Sequence, residues 1–238
     1  MQRQRKHDGT RTQGCLVHLG FGVLLALSLG HATEATAGEL AAAKLHLSWI
    51  DSYGLVSPWA QRLVAKEVGT LFGDLEVDVD WSQNLPSRPD MPGVQLTVVL
   101  MPCDSKGWGF PNGVLGTVPA GSGPPRQVFL FFPDIVRALG LRPPASRTRD
   151  LGQGAITTRP TEESEIARAL ARVIAHEVIH ALCPEQPHLQ KGLMRSRLDL
   201  SFLRRSRVRI SPDIARRLRA RLAAAPSTRR ESVAAGSP

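Results

Sequence analysis

Residues 161–182, closed by Pro184, constrain the fold of this chain more than any other stretch. Thr161 is placed to cap a helix. Glu162, Glu163 and Glu165 follow in its first turn, where the helix dipole favours negative charge. The helix is expected to run to about Leu182, because Pro184 cannot continue it. Within it stands the run His176-Glu177-Val178-Ile179-His180. Val173, Ile174, Ile179 and Leu182 make its flanks apolar, as a buried helix needs.

Histidines at i and i+4 project from one helix face, one turn apart. That spacing lets two imidazoles take adjacent corners of a tetrahedral zinc site. Glu177 lies beside this face, within reach of water at an open fourth position. In that role it would take a proton from the water and later give it to a leaving amine. A third ligand is required. His188 is the candidate, because Pro184 and Pro187 let the chain turn back under the metal. Glu185, Asp199, Cys183 and Glu231 are the rivals, Glu231 being far out in the tail. The alternative for the whole motif is a pair of histidines that hold no metal.

The rest of the chain alternates strands and helices. Residues 44–50 (KLHLSWI) and 75–81 (LEVDVDW) alternate apolar and polar residues and read as strands. Residues 94–101 (VQLTVVLM) and 127–132 (QVFLFF) are more continuously apolar and read as buried strands. Ser57-Pro58 is an N-cap and first-turn proline for a helix ending near Gly73. Gly113 to Val118 reads either as an edge strand or as an exposed loop within a Gly/Pro-rich stretch. Pro133 to Leu139 reads as a short helix, 140–160 as a loop, and Ser211-Pro212 opens a last helix to about Leu222. This order predicts an α/β fold, with a lobe at 38–182 ending in the histidine helix and a small helical C-terminal lobe at 183–224. The small and polar residues 225–238 read as a disordered tail.

The first 37 residues read as a secretion signal. Arg3, Arg5, Lys6 and Arg11 precede the apolar run Leu16 to Leu29, and Ala35-Thr36-Ala37 offers a cleavage site. An uncleaved anchor is the other reading of that run, which is short for a membrane span. Cleavage would place the protein outside the cytoplasm, secreted or periplasmic. Only Cys103 and Cys183 would then remain, and in an oxidising compartment they are expected either to pair or to stay as two free thiols. The formal net charge is +9, with Arg204, Arg205, Arg207, Arg209, Arg216, Arg217, Arg219 and Arg221 crowded near the C-terminus. Such a run is either a solvated face or a patch for an anionic surface. No aromatic residues interleave with it, so specific nucleic-acid binding is not expected.

The segment His176 to Met194, HEVIHALCPEQPHLQKGLM, resembles the metzincin zinc peptidases, whose signature is HExxHxxGxxH followed by a methionine turn. It is more similar still to compact bacterial metzincin-like proteins, in which the third histidine is displaced by two positions and followed by a Gly-x-Met. The resemblance implies a metzincin-like N-terminal lobe, with a mixed twisted sheet and an active-site helix. It also implies Met194 as the methionine-turn residue, whose alternative is an ordinary core methionine. Gly113 to Val118 would be the edge strand along a peptide-binding cleft. This chain departs from the signature at Cys183, which stands in the glycine position. It departs again at Gln186, which stands in the usual third-ligand position, and it has no tyrosine after Met194.

Residues and resemblance together lead to an exported, monomeric zinc endopeptidase acting on a peptide or protein substrate. His176, His180 and His188 would hold Zn2+ and Glu177 would be the general base. Two other readings stay open: a non-catalytic zinc-binding domain whose basic C-terminal region docks on anionic surfaces, and a zinc hydrolase of a non-peptide amide.

Overall fold

The computed structural model describes residues 43–83, 93–119, 127–143 and 159–224. The signal expected at 1–37 and the tail expected at 225–238 lie outside them. So does most of the loop expected at 140–160.

Five strands form one mixed sheet: β1 (Ala43–Ile50), β2 (Val77–Gln83), β3 (Val94–Met101), β4 (Gly116–Thr117) and β5 (Gln127–Phe131). Their spatial order is β2-β1-β3-β5-β4. β1, β2, β3 and β5 run parallel, and β4 lies antiparallel along the β5 edge. Parallel neighbours need crossovers. One is α1 (Pro58–Gly73), which joins β1 to β2. It starts where the sequence places it. The Ser57 hydroxyl accepts the Ala60 N–H at 3.2 Å, and Pro58 occupies the first turn, where its missing N–H costs nothing. Asp51 accepts the N–H groups of Leu55 and Val56 at 3.0 and 2.9 Å, which fixes the entry loop.

Alternation divides the sheet into two unlike faces. Leu45, Leu47 and Trp49 of β1 share a face with Leu96, Val98 and Leu100 of β3 and with Val128 and Leu130 of β5. All eight are buried. On the other face of β1 and β2, His46 meets Asp80 at 3.0 Å and the Ser48 and Ser82 hydroxyls lie 3.1 Å apart. β3 is therefore less uniformly buried than its apolar sequence suggests, because every second residue keeps partial exposure.

Two boundaries differ from expectation. β2 begins at Val77 rather than at residue 75, because Leu75 and Glu76 close the turn after α1 by donating to Phe72 O and Gly73 O. Glu76 has φ of 58°, which no strand residue adopts. The histidine-bearing helix, α3, spans Pro160–Leu182 and is capped at Arg159, not at Thr161. Pro160 fits the first helical position, and the Glu162 carboxylate reaches back to accept the Arg159 N–H at 3.4 Å.

α3 is apolar nearly all round, with Ile166, Ala167, Leu170, Val173, Ile174, Ala175, Val178 and Ile179 at 6% exposure or less. It packs against α1 and against β4 and β5 of the sheet, and its apolar residues belong to the same core. α2 (Phe132–Ala138) follows β5 without a loop. Past α3 come α4 (Leu200–Leu203), a single turn with no sequence signal strong enough to announce it, and α5 (Pro212–Ala224). Phe202, Leu203, Ile214 and Leu218 pack into the same apolar core as the sheet.

The disulfide between Cys103 and Cys183 is not formed; both are free thiols. They are held in different elements. Cys103 lies in the bend beyond β3, and Cys183 caps α3 with its N–H on Ile179 O at 2.8 Å. Burial pushes the Cys183 thiol above its ordinary pKa, toward an inert buried hydrophobe.

Candidate metal centre

The last two turns of α3 carry the candidate site. His176 and His180 lie one turn apart, His176 buried and His180 half-buried. The chain leaves the helix at Leu182, turns at Pro184 and Pro187, and brings the exposed His188 back beside them. Nε2 of His180 is 3.2 Å from Nε2 of His176 and 3.2 Å from Nε2 of His188. One ligand atom from each of the three lies within 4.8 Å of the others. The rings of His176 and His188 are stacked at 15°, while His180 stands edge-on to both, at 74° and 79°.

These separations have a simple meaning. Zinc–nitrogen bonds of 2.0–2.1 Å in a tetrahedron place neighbouring nitrogens about 3.3 Å apart. The His176 ring shows which of its atoms is on offer. Its Nδ1 is 2.8 Å from Leu193 O, and a carbonyl can only accept, so Nδ1 carries the proton. Nε2 of the neutral ring is then a bare lone pair aimed at the other two histidines. Burial holds the His176 pKa down to about 4, with smaller contributions from His180 and His188, so the ring is neutral at physiological pH. Burial, and then His188, lowers that of His180 too. Neutral imidazole nitrogens gathered in this way are the donors that a divalent cation takes, so this set fits zinc. A backbone acceptor fixing the far nitrogen of a ligand histidine is also how protein metal sites orient their ligands.

The Leu193 carbonyl belongs to a tight turn. Gly192 has φ of 79°, and the Leu189 N–H donates to Met194 O at 2.6 Å. Met194 is fully buried in the core beneath this turn. Gln186 does not join the histidines. It is buried, its amide donates to Pro187 O at 3.1 Å, and its oxygen accepts from Arg217 at 3.5 Å. Among the rival ligands, Glu185 pairs with Arg221 at 3.2 Å, Asp199 pairs with Arg195 at 2.9 Å, and Cys183 caps the helix. Glu231 lies outside the described residues.

Glu177 is 8% exposed, and burial alone raises its pKa to about 8. A cation held by the neighbouring histidines acts in the opposite sense and favours the carboxylate. The side chain lies toward the sheet edge, against β4. The edge strand expected at Gly113 to Val118 is reduced to Gly116 and Thr117, pinned by the Phe131 N–H donating to Leu115 O at 2.9 Å.

Two contributors escape a reading of the sequence. A main-chain carbonyl such as that of Leu193 looks the same at every residue and leaves no signal. Gly116 leaves a weak one, a glycine inside an otherwise β-branched and apolar run. Four of the eight arginines named near the C-terminus make ion pairs within the molecule: Arg204 with Glu165 at 3.0 Å, Arg216 with Asp213 at 2.8 Å, Arg219 with Glu76 at 2.7 Å and Arg221 with Glu185.

No family model and no curated protein matches the sequence. Among solved structures, the fold is similar to the crystal structure of archaemetzincin from Methanopyrus kandleri. The TM-score is 0.42 and the identity 16%, over 78% of this chain and 98% of that one. The likeness is a loose one.

Proposed function

We propose that this protein is an exported zinc-dependent peptidase. The observation that carries the reading is the meeting of three imidazoles, with Nε2 of His180 3.2 Å from Nε2 of both His176 and His188, and a buried glutamate beside them on the same helix. His176, His180 and His188 hold the metal. Zinc in that position supplies a Lewis acid and lowers the pKa of water. Glu177 accepts the water proton and delivers it to the leaving amine, a transfer its neighbouring position on α3 allows. A purely structural site has no use for a buried carboxylate at this point, which favours an enzyme over a binding module. The resemblance of residues 176–194 to the metzincin signature supports a peptide as substrate. The apolar run at 16–29 followed by Ala35-Thr36-Ala37 supports export, with the mature chain beginning at Gly38.

The test is zinc content together with cleavage of a peptide library by the mature chain. We expect one zinc per chain. Glu177→Ala should keep the metal and lose cleavage by about 10²–10⁴-fold, the usual contribution of a positioned general base. Tight zinc with no cleavage of any peptide by the unaltered protein would replace the peptidase with a binding module or an enzyme of another amide.

A further inference from the structure

Glu177 has an unusual surrounding for a proton carrier. Burial is the sole cause of its shifted pKa, and among the described residues no hydrogen bond or ion pair orients its carboxylate. Its direction must therefore be set by what packs against its methylene groups. The bare backbone of β4 at Gly116 lies against them, beside Val173 from the preceding turn of α3. A Cβ built on Gly116 would stand 2.8 Å from Glu177 Cγ, 3.0 Å from Val173 Cγ1 and 3.1 Å from Phe129 O. The first of these is closer than real Cβ atoms come. The obstruction is not a flexible tip either, because Cγ is the second atom of the side chain and moves only if χ1 changes. Nor is the strand free to retreat, since β4 is paired with β5 through Gly116↔Leu130 and Thr117↔Phe129.

We infer that Gly116 is a positioning residue for Glu177: the missing side chain lets the edge-strand backbone press on the glutamate and hold its carboxylate toward the three histidines. Conformational freedom is not why glycine is needed here, since Gly116 is not among the residues with positive φ. The need is for space. This deepens the peptidase reading and rests on it for the kinetic half of the test, while the packing half stands without it.

The experiment is a double-mutant cycle of Gly116→Ala and Glu177→Ala, with Gly116→Ala read both as peptide cleavage and as thermal unfolding of the metal-free protein. In the zinc-loaded enzyme, Gly116→Ala should lower kcat by about 100-fold, the loss expected from a displacement on the order of 1 Å. KM should change less than threefold and zinc content should not change. In the Glu177→Ala background, where Cγ is gone, the same substitution should have little further effect on residual cleavage. Its melting-temperature loss should fall to less than half of that in the unaltered protein. Equal losses of melting temperature in both backgrounds would overturn the inference even if no peptide substrate were found. Full kcat in Gly116→Ala would overturn it as well.

Discussion

His176 and His188 bring the same imidazole nitrogen to the same point, from opposite kinds of surroundings. His176 sits in the most buried stretch of the molecule, on a rigid helix, with its second nitrogen held by Leu193 O. His188 is exposed, beyond the end of that helix, and is placed by the turn through Pro184 and Pro187. One candidate ligand is part of the core and the other is attached to it. The histidine in the core should therefore serve both fold and metal, and the histidine in the turn should serve the metal alone.

Unfolding of the metal-free protein, set against zinc affinity, can break this contrast. His176→Ala should have the largest effect on the fold, about 2–3 kcal/mol, because it opens a cavity and leaves the Leu193 carbonyl without its donor. It should also abolish stoichiometric zinc. Gly192→Ala comes next. Nothing obstructs a Cβ there, but φ of 79° should cost about 1–2 kcal/mol in any residue with a side chain. Because that turn presents the carbonyl to His176, zinc affinity should weaken about 10–100-fold as well. Gln186→Ala should cost about 1 kcal/mol through its lost hydrogen bonds and leave zinc affinity unchanged. A loss of zinc in that variant would make Gln186 part of the site. His188→Ala should have the smallest effect on the fold, within about 0.5 kcal/mol, and still abolish stoichiometric zinc. If His188→Ala destabilised the metal-free chain as much as His176→Ala, the distinction between core and attached ligand would be wrong. Denaturant titration and calorimetric zinc binding on the same four proteins decide each case.

The same contrast explains what the sequence could announce. His176 and His180 are legible together because helical periodicity is strong in 161–182 and fixes which side chains share a face. β1, β3 and β5 are legible because their alternation is what a sheet with one buried face requires. Ser57-Pro58 is legible because a cap and a first-turn proline are local chemistry. The start of β2 is not, since the turn at Leu75 and Glu76 is made by main-chain hydrogen bonds that any residues could supply. Whether Cys103 and Cys183 pair or stay free thiols is not legible, because cysteine counting carries no information on the distance between two elements. The packing of Gly116 on Glu177 joins positions 61 residues apart, and only the meeting of β4 with α3 reveals it.

Everything from the first histidine to the carbonyl that orients it falls within 18 consecutive residues, His176 to Leu193. Bringing such near neighbours together costs little chain entropy. Each doubling of the enclosed loop adds only about 0.6 kcal/mol, but ligands drawn from distant parts of a fold must wait for all of that fold. The binding segment is thus closed by contacts local to α3 and the turn that follows it. The surroundings of Glu177, by contrast, are completed only where β4 meets α3.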